Sequence, residues 1–121
     1  MSSQPGKAIT TAADRRHRRY PRHRSEFGVA VTLFSGNQYQ TLDAHCKDVS
    51  EAGIGVLLAA EVPMGEVVSL KFCLPNLTES WDVRAVLRHR RGFHYGFEFL
   101  SLAKDRSSIL KEFVQNLPRA D

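Results

Sequence analysis

Phe27-Gly28-Val29-Ala30-Val31-Thr32-Leu33 leads through Phe34 into Ser35-Gly36-Asn37. Large apolar residues at 27, 29, 31 and 33 alternate with small or polar ones, the period of a half-buried strand, and the Ser-Gly-Asn step predicts a hairpin turn. The same grammar continues downstream. Tyr39 to Asp48 alternates less cleanly, with Leu42, Ala44 and Cys46 on one face, and ends in the turn-like Asp48-Val49-Ser50-Glu51-Ala52-Gly53. Ile54, Val56 and Leu58 resume the period of two. After Pro63-Met64-Gly65, Val68, Leu70, Phe72 and Leu74 form a clean strand closed by Pro75-Asn76. Trp81, Val83, Ala85 and Leu87 form another, broken at Arg90-Arg91-Gly92, and Phe93, Tyr95, Phe97 and Phe99 the last. Six short strands with no intervening helix predict an all-β fold, an antiparallel barrel or sandwich.

Past Leu102 the period becomes helical. Asp105 suits an N-cap, and Ile109, Leu110, Phe113, Val114 and Leu117 follow at helical spacing until Pro118. A C-terminal helix over about residues 105–117 is expected to lay this stripe on the sheet. Upstream, residues 1–14 are Ser, Gln, Pro, Gly, Thr and Ala without hydrophobic period and read as a disordered tail. Residues 15–26 form an arginine-rich arm, with six arginines in Arg15-Arg16-His17-Arg18-Arg19-Tyr20-Pro21-Arg22-His23-Arg24. Residues 1–24 set seven basic groups against Asp14 alone, for +6, whereas residues 25–121 carry −2. The alkaline pI of about 9.4 thus belongs to an arm and not to the domain at 27–119. Guanidinium at this density reads as a grip for phosphate or another anion, and its self-repulsion predicts a flexible segment in the absence of that anion.

A chain of 121 residues supports one domain with a single core. Cys46 and Cys73 lack any metal-type spacing, which argues against structural zinc or a disulfide framework and for reduced thiols in a cytoplasmic protein. Residues 1–13 lack the apolar segment of a signal peptide, and no apolar run approaches transmembrane length, so no membrane span is predicted. His89 and His94 flank a turn without a third ligand, and His45-Cys46 has no acid partner that the sequence places, so all four read as structural. No phosphate loop, pair of catalytic acids or nucleophile elbow is present. The expectation is a binding protein without catalytic residues, metal or cofactor.

Two short patterns then combine. Arg18 and Arg22 are spaced RxxxR in the arm; Asp48, Ser50 and Gly53 are spaced DxSxxG at a strand-to-strand turn, one hairpin later. In this order, within six strands, they resemble the PilZ domain, the bacterial receptor module for cyclic di-GMP. The resemblance spans roughly Arg15 to Leu117 and includes the late strand Tyr95-Gly96-Phe97-Glu98-Phe99. It implies a six-stranded antiparallel split barrel with a C-terminal helix, in which Arg18 and Arg22 grip phosphates and guanine edges while the turn of Asp48, Ser50 and Gly53 holds a guanine. The chemistry is consistent with that. Guanine offers O6 and N7 acceptors to a guanidinium fork, and N1–H and N2–H donors to a carboxylate or hydroxyl. Gly53 would give the turn an unusual backbone angle or admit the ligand closely.

Arg19, next to the motif, is a further candidate contact. Arg88 is another, as a wall residue beside the ligand, against the alternative of an ordinary exposed barrel arginine. The resemblance implies an effector whose arm orders on cyclic di-GMP and presents a new surface to an unidentified downstream protein. The competing class is a nucleic-acid-binding small barrel with a basic arm; the net acidic body and mostly inward-alternating aromatics argue against it.

Overall fold

The computed structural model describes residues 20–120. Six strands, β1 (His23–Ser35), β2 (Gln38–Val49), β3 (Gly53–Leu57), β4 (Val67–Phe72), β5 (Trp81–Arg91) and β6 (His94–Phe99), precede one helix, α1 (Lys104–Gln115). All neighbouring strands are antiparallel, in the closed order β1-β2-β3-β6-β5-β4. The β1–β2 turn is Gly36-Asn37, with φ of 55° and 69°. This left-handed pair suits the twist of the flanking strands and fixes their register from Ser35 opposite Gln38 to Phe27 opposite Cys46.

The period of two becomes the barrel interior. Val31, Leu70, Ile54, Val56, Ala85 and Tyr95 are completely buried, and Trp81 closes one end under the guanidinium of Arg106, 5.3 Å from its ring centre. Helix α1 adds Leu110, Phe113 and Val114 to the same core, with Leu117 packed at its edge.

Three local expectations are corrected. Phe93 is not a strand residue: Gly92, at φ 60°, starts the reversal, Arg91 pairs with His94, and Phe93 sits exposed at the turn. Asp105 is not the N-cap of α1. Ala103 is, and its side chain caps nothing; Asp105 lies in the first turn, where its charge faces the helix dipole favourably. Ile109 falls outside the buried stripe, because Leu110, Phe113, Val114 and Leu117 already span the i, i+3, i+4, i+7 face.

The sheet also reaches further back than the alternation indicates. Strand β1 begins at His23, four residues before Phe27, so the last part of the segment read as an arm belongs to the barrel. The chain beyond α1 secures it. Arg24 N donates to Pro118 O and Ala120 N to Arg22 O, both at 2.9 Å, while His23 bridges to Arg119. His23, buried to 8% exposure, places Nδ1 3.1 Å from Leu117 O; facing a carbonyl, that nitrogen is the donor.

Candidate functional site

On the outside of the barrel, one row of paired residues crosses four strands: Asp48 of β2 opposite Gly55 of β3, Gly55 opposite Gly96 of β6, Gly96 opposite His89 of β5. Ile54 and Val56, like Tyr95 and Phe97, point inward, so both glycines face out and leave a shelf without side chains. Asp48 and His89 occupy its two ends because each follows a β-bulge. Register shifts between Cys46 and Asp48 and between Leu87 and His89, and the extra residue turns the next side chain to the outer face.

The shelf is shaped by its occupants. A Cβ on Gly55 would lie 2.6 Å from the Asp48 carboxylate and 2.9 Å from the His94 ring, and a Cβ on Gly96 would collide with the His89 ring.

Arg22, just before β1, spans the row. Its Nη1 donates to Asp48 Oδ1 at 2.7 Å, and its Nη2 lies 3.1 Å from His89 Nε2. His94 Nε2 lies 3.2 Å from the other carboxylate oxygen, Asp48 Oδ2. Burial pushes the Asp48 carboxyl up, but the hydrogen bonds from His94 and Arg22, with the charge of Arg22, more than offset it and hold the group below its ordinary value. Asp48 is therefore an anion locked behind Arg22.

Arg22 faces a cleft of about 280 Å³ lined by Tyr20, Ser50, Gly53, Arg88, His89 and Phe97, among others. Ser50 is buried, and its Oγ accepts from Ala52 N at 3.1 Å and Gly53 N at 3.2 Å. Those two bonds use both lone pairs, so the hydroxyl offers a ligand a donor and not the acceptor expected from the sequence. Gly53 has no left-handed backbone either. Its missing Cβ makes room for the backbone carbonyl of Phe97 in the neighbouring strand. Arg88 does stand at the cleft wall, where its Nε donates to Glu98 Oε1 at 2.6 Å.

The structure thus gathers Arg22, Asp48, Ser50, Gly53 and Arg88 at one place. Arg18 and Arg19 lie outside the described residues. The sequence reading missed His89 and His94, treated there as turn residues without function. The available signal was Gly55 and Gly96, glycines between the inward apolar residues of their strands, which mark close approach by another group. His45 also has an acid partner after all: Glu26 Oε1 is 3.0 Å from its Nε2, and Lys47 shares that carboxylate. Cys46 points into the core with its thiol pushed up by burial and by the charge of Asp48, so the two residues form no reactive pair. Among the described residues, no cluster of three or more His, Cys, Asp or Glu could hold a metal ion, and no helix is long and apolar enough to cross a membrane.

The profile of the PilZ domain matches residues 15–116. No curated protein matches the chain. Among solved structures, the Escherichia coli YcgR PilZ domain with c-di-GMP is similar at a TM-score of 0.61 and 20% identity, covering 84% of this chain and 91% of that one. Full YcgR from Escherichia coli in complex with c-di-GMP gives 0.65 and 21%, over 82% of this chain and 45% of that one. The Bacillus subtilis inhibitor of motility (MotI/DgrA) gives 0.64 and 20%, over 82% of this chain; the chain spans about half of that protein, 49%. At these identities the structural likenesses concern the fold, and the profile match over most of the sequence settles the family: the chain belongs to the PilZ domain family.

Proposed function

We propose that the chain binds cyclic di-GMP at the Arg22 cleft and acts as a non-catalytic effector. The observation that carries this reading is the convergence of Arg22 with Asp48 and Ser50. Residues from two distant motifs meet at 2.7 Å at the mouth of a cleft. Arg22 reaches that cleft pre-aimed. Asp48 and His89 each take one hydrogen bond from the guanidinium, which carries five N–H groups, so three remain for phosphate or the O6 and N7 edge of guanine. Asp48 serves the ligand through Arg22, and the Ser50 hydroxyl supplies a donor at the cleft floor.

The two similar YcgR structures are complexes with c-di-GMP, in agreement with this chemistry. At about 280 Å³ the cleft is at the lower edge of small-molecule pockets. A dinucleotide seated there keeps part of its surface exposed, and that surface, with the arginines of the arm drawn onto the phosphates, is what a protein partner would read.

Titration calorimetry with cyclic di-GMP, GMP and a single-stranded oligonucleotide tests the assignment. Expected are an affinity of about micromolar or tighter for cyclic di-GMP, little competition from GMP, and a shallow salt dependence. Oligonucleotide binding with a steep salt slope and no response to cyclic di-GMP would contradict it.

A further inference from the structure

We infer that His89 is a positioning residue of this site: in its neutral form it accepts a hydrogen bond from Arg22 and holds the guanidinium over the Gly55–Gly96 shelf, so that protonating it weakens nucleotide binding. The inference rests on the functional reading above. Its basis is the direction of the hydrogen bonds.

Arginine only donates. The 3.1 Å approach of Arg22 Nη2 to His89 Nε2 is therefore a hydrogen bond only when Nε2 carries no proton, which places the proton of the neutral ring on Nδ1. His94 must be the reverse. Ionised Asp48 only accepts, so His94 Nε2, 3.2 Å from Oδ2, carries a proton. The two imidazoles, 6.5 Å apart and within 12° of parallel, thus occupy opposite tautomers when both are neutral. Each bond then has a fixed direction: Asp48 accepts from both His94 and Arg22, and Arg22 donates to both Asp48 and His89.

The placement of His89 is built into the fold. The bulge at Arg88 turns its ring outward, and the absent Cβ of Gly96 leaves the space that the ring fills. Among the described residues, the charged and titratable groups that face it are Arg22 ahead of β1, Asp48 of β2 beyond Arg22, Arg88 beside it on β5, and His94 and Glu98 of β6, with Tyr20 lining the same cleft.

Protonation has two opposing effects. It removes the acceptor and sets a cation against the guanidinium; loss of one charge-assisted hydrogen bond costs about tenfold to a hundredfold in affinity. It also adds a positive charge near an anionic ligand, worth about threefold for each ligand charge across roughly 6 Å at the dielectric of water. The His89 ring is exposed to that screening, so the positional loss is the larger. The resulting sign is opposite to that of simple attraction between a protonated site and an anion, which makes it diagnostic.

The test is calorimetric titration of the full chain with cyclic di-GMP at about pH 7.5 and about pH 5.5, the range in which histidine titrates, for the wild type and His89→Gln at matched ionic strength. Long-range ¹⁵N–¹H spectra of the free wild type report the tautomer alongside. Expected are wild-type binding weakened at least about threefold at the lower pH, a flat response for His89→Gln, whose amide oxygen accepts from Arg22 without titrating, and a His89 proton on Nδ1. Affinity that is unchanged or tighter at the lower pH, a variant with the wild-type slope, or a neutral His89 protonated on Nε2 would overturn the inference. A chain that binds no cyclic di-GMP at either pH refutes the functional reading, while the tautomer still decides the role of His89, including where the variant fails to fold.

Discussion

Asp48 and His89 sit on strands that are not neighbours, yet Arg22 reaches both, donating to Asp48 Oδ1 at 2.7 Å and lying 3.1 Å from His89 Nε2. The two glycines between them make this possible. The site is as much a matter of absent side chains as of present ones, and this gives a way to disturb it without removing any polar group.

Gly96→Ala and Gly55→Ala are predicted to weaken cyclic di-GMP binding by about tenfold or more, the scale of one lost charge-assisted contact. The first displaces the His89 ring and the second the Asp48 carboxylate. Titration of the two variants against Gly28→Ala, where an added Cβ meets nothing within 4 Å, checks this; equal affinities in all three would show that the row does not set the geometry.

The base of the arm is tied down before any ligand arrives. Arg24 N donates to Pro118 O and Ala120 N to Arg22 O, so the Arg24 amide is predicted to exchange slowly in the free protein. Removing residues 117–121 should accelerate its exchange and weaken nucleotide binding, since Arg22 then loses its backbone anchor. Amide exchange by mass spectrometry reads both. This places any ligand-dependent ordering upstream of Arg22, narrower than the whole arginine run.

Acid should expose the role of Asp48. Its carboxyl is held below the ordinary value in the folded protein, so its stabilising contribution is complete above the unfolded carboxyl's value of about 3.9. That contribution is lost as pH falls through the lower folded value. Urea denaturation of wild type and Asp48→Asn is therefore predicted to show a stability gap at about pH 6 that narrows below about pH 4.

Cys46 is completely buried and its thiol is pushed well up by burial and by Asp48. A thiol-alkylating reagent at neutral pH is predicted to modify at most Cys73 in the native protein, and both cysteines in denaturant. Mass spectrometry counts the adducts.

The barrel was legible because its strands obey the period of two over most of their length, and the Gly36-Asn37 turn falls where the Ser-Gly-Asn signal stood. The site was legible only as two motifs. Its geometry depends on three bulges, between Arg24 and Phe27, Cys46 and Asp48, and Leu87 and His89, and each interrupts the periodicity used to assign faces. His89, an inward position by strict alternation from Leu87, turns outward for that reason and could not be assigned to the site. Ser50 and Gly53 line the cleft, but their local bonding depends on the turn and on Phe97 of another strand, which residue type alone does not report.

Under the proposed function, Arg22 reads the nucleotide as a fork held in place by Asp48 and His89. Calorimetric titration of cyclic di-GMP into wild type and Arg22→Lys tests it most directly, because lysine keeps the charge and loses the planar, multiply bonding geometry. The account predicts binding at about micromolar or tighter for the wild type and at least about tenfold weaker for Arg22→Lys, with the fold intact. Equal affinity in the two proteins would reduce Arg22 to a point charge and contradict the claim.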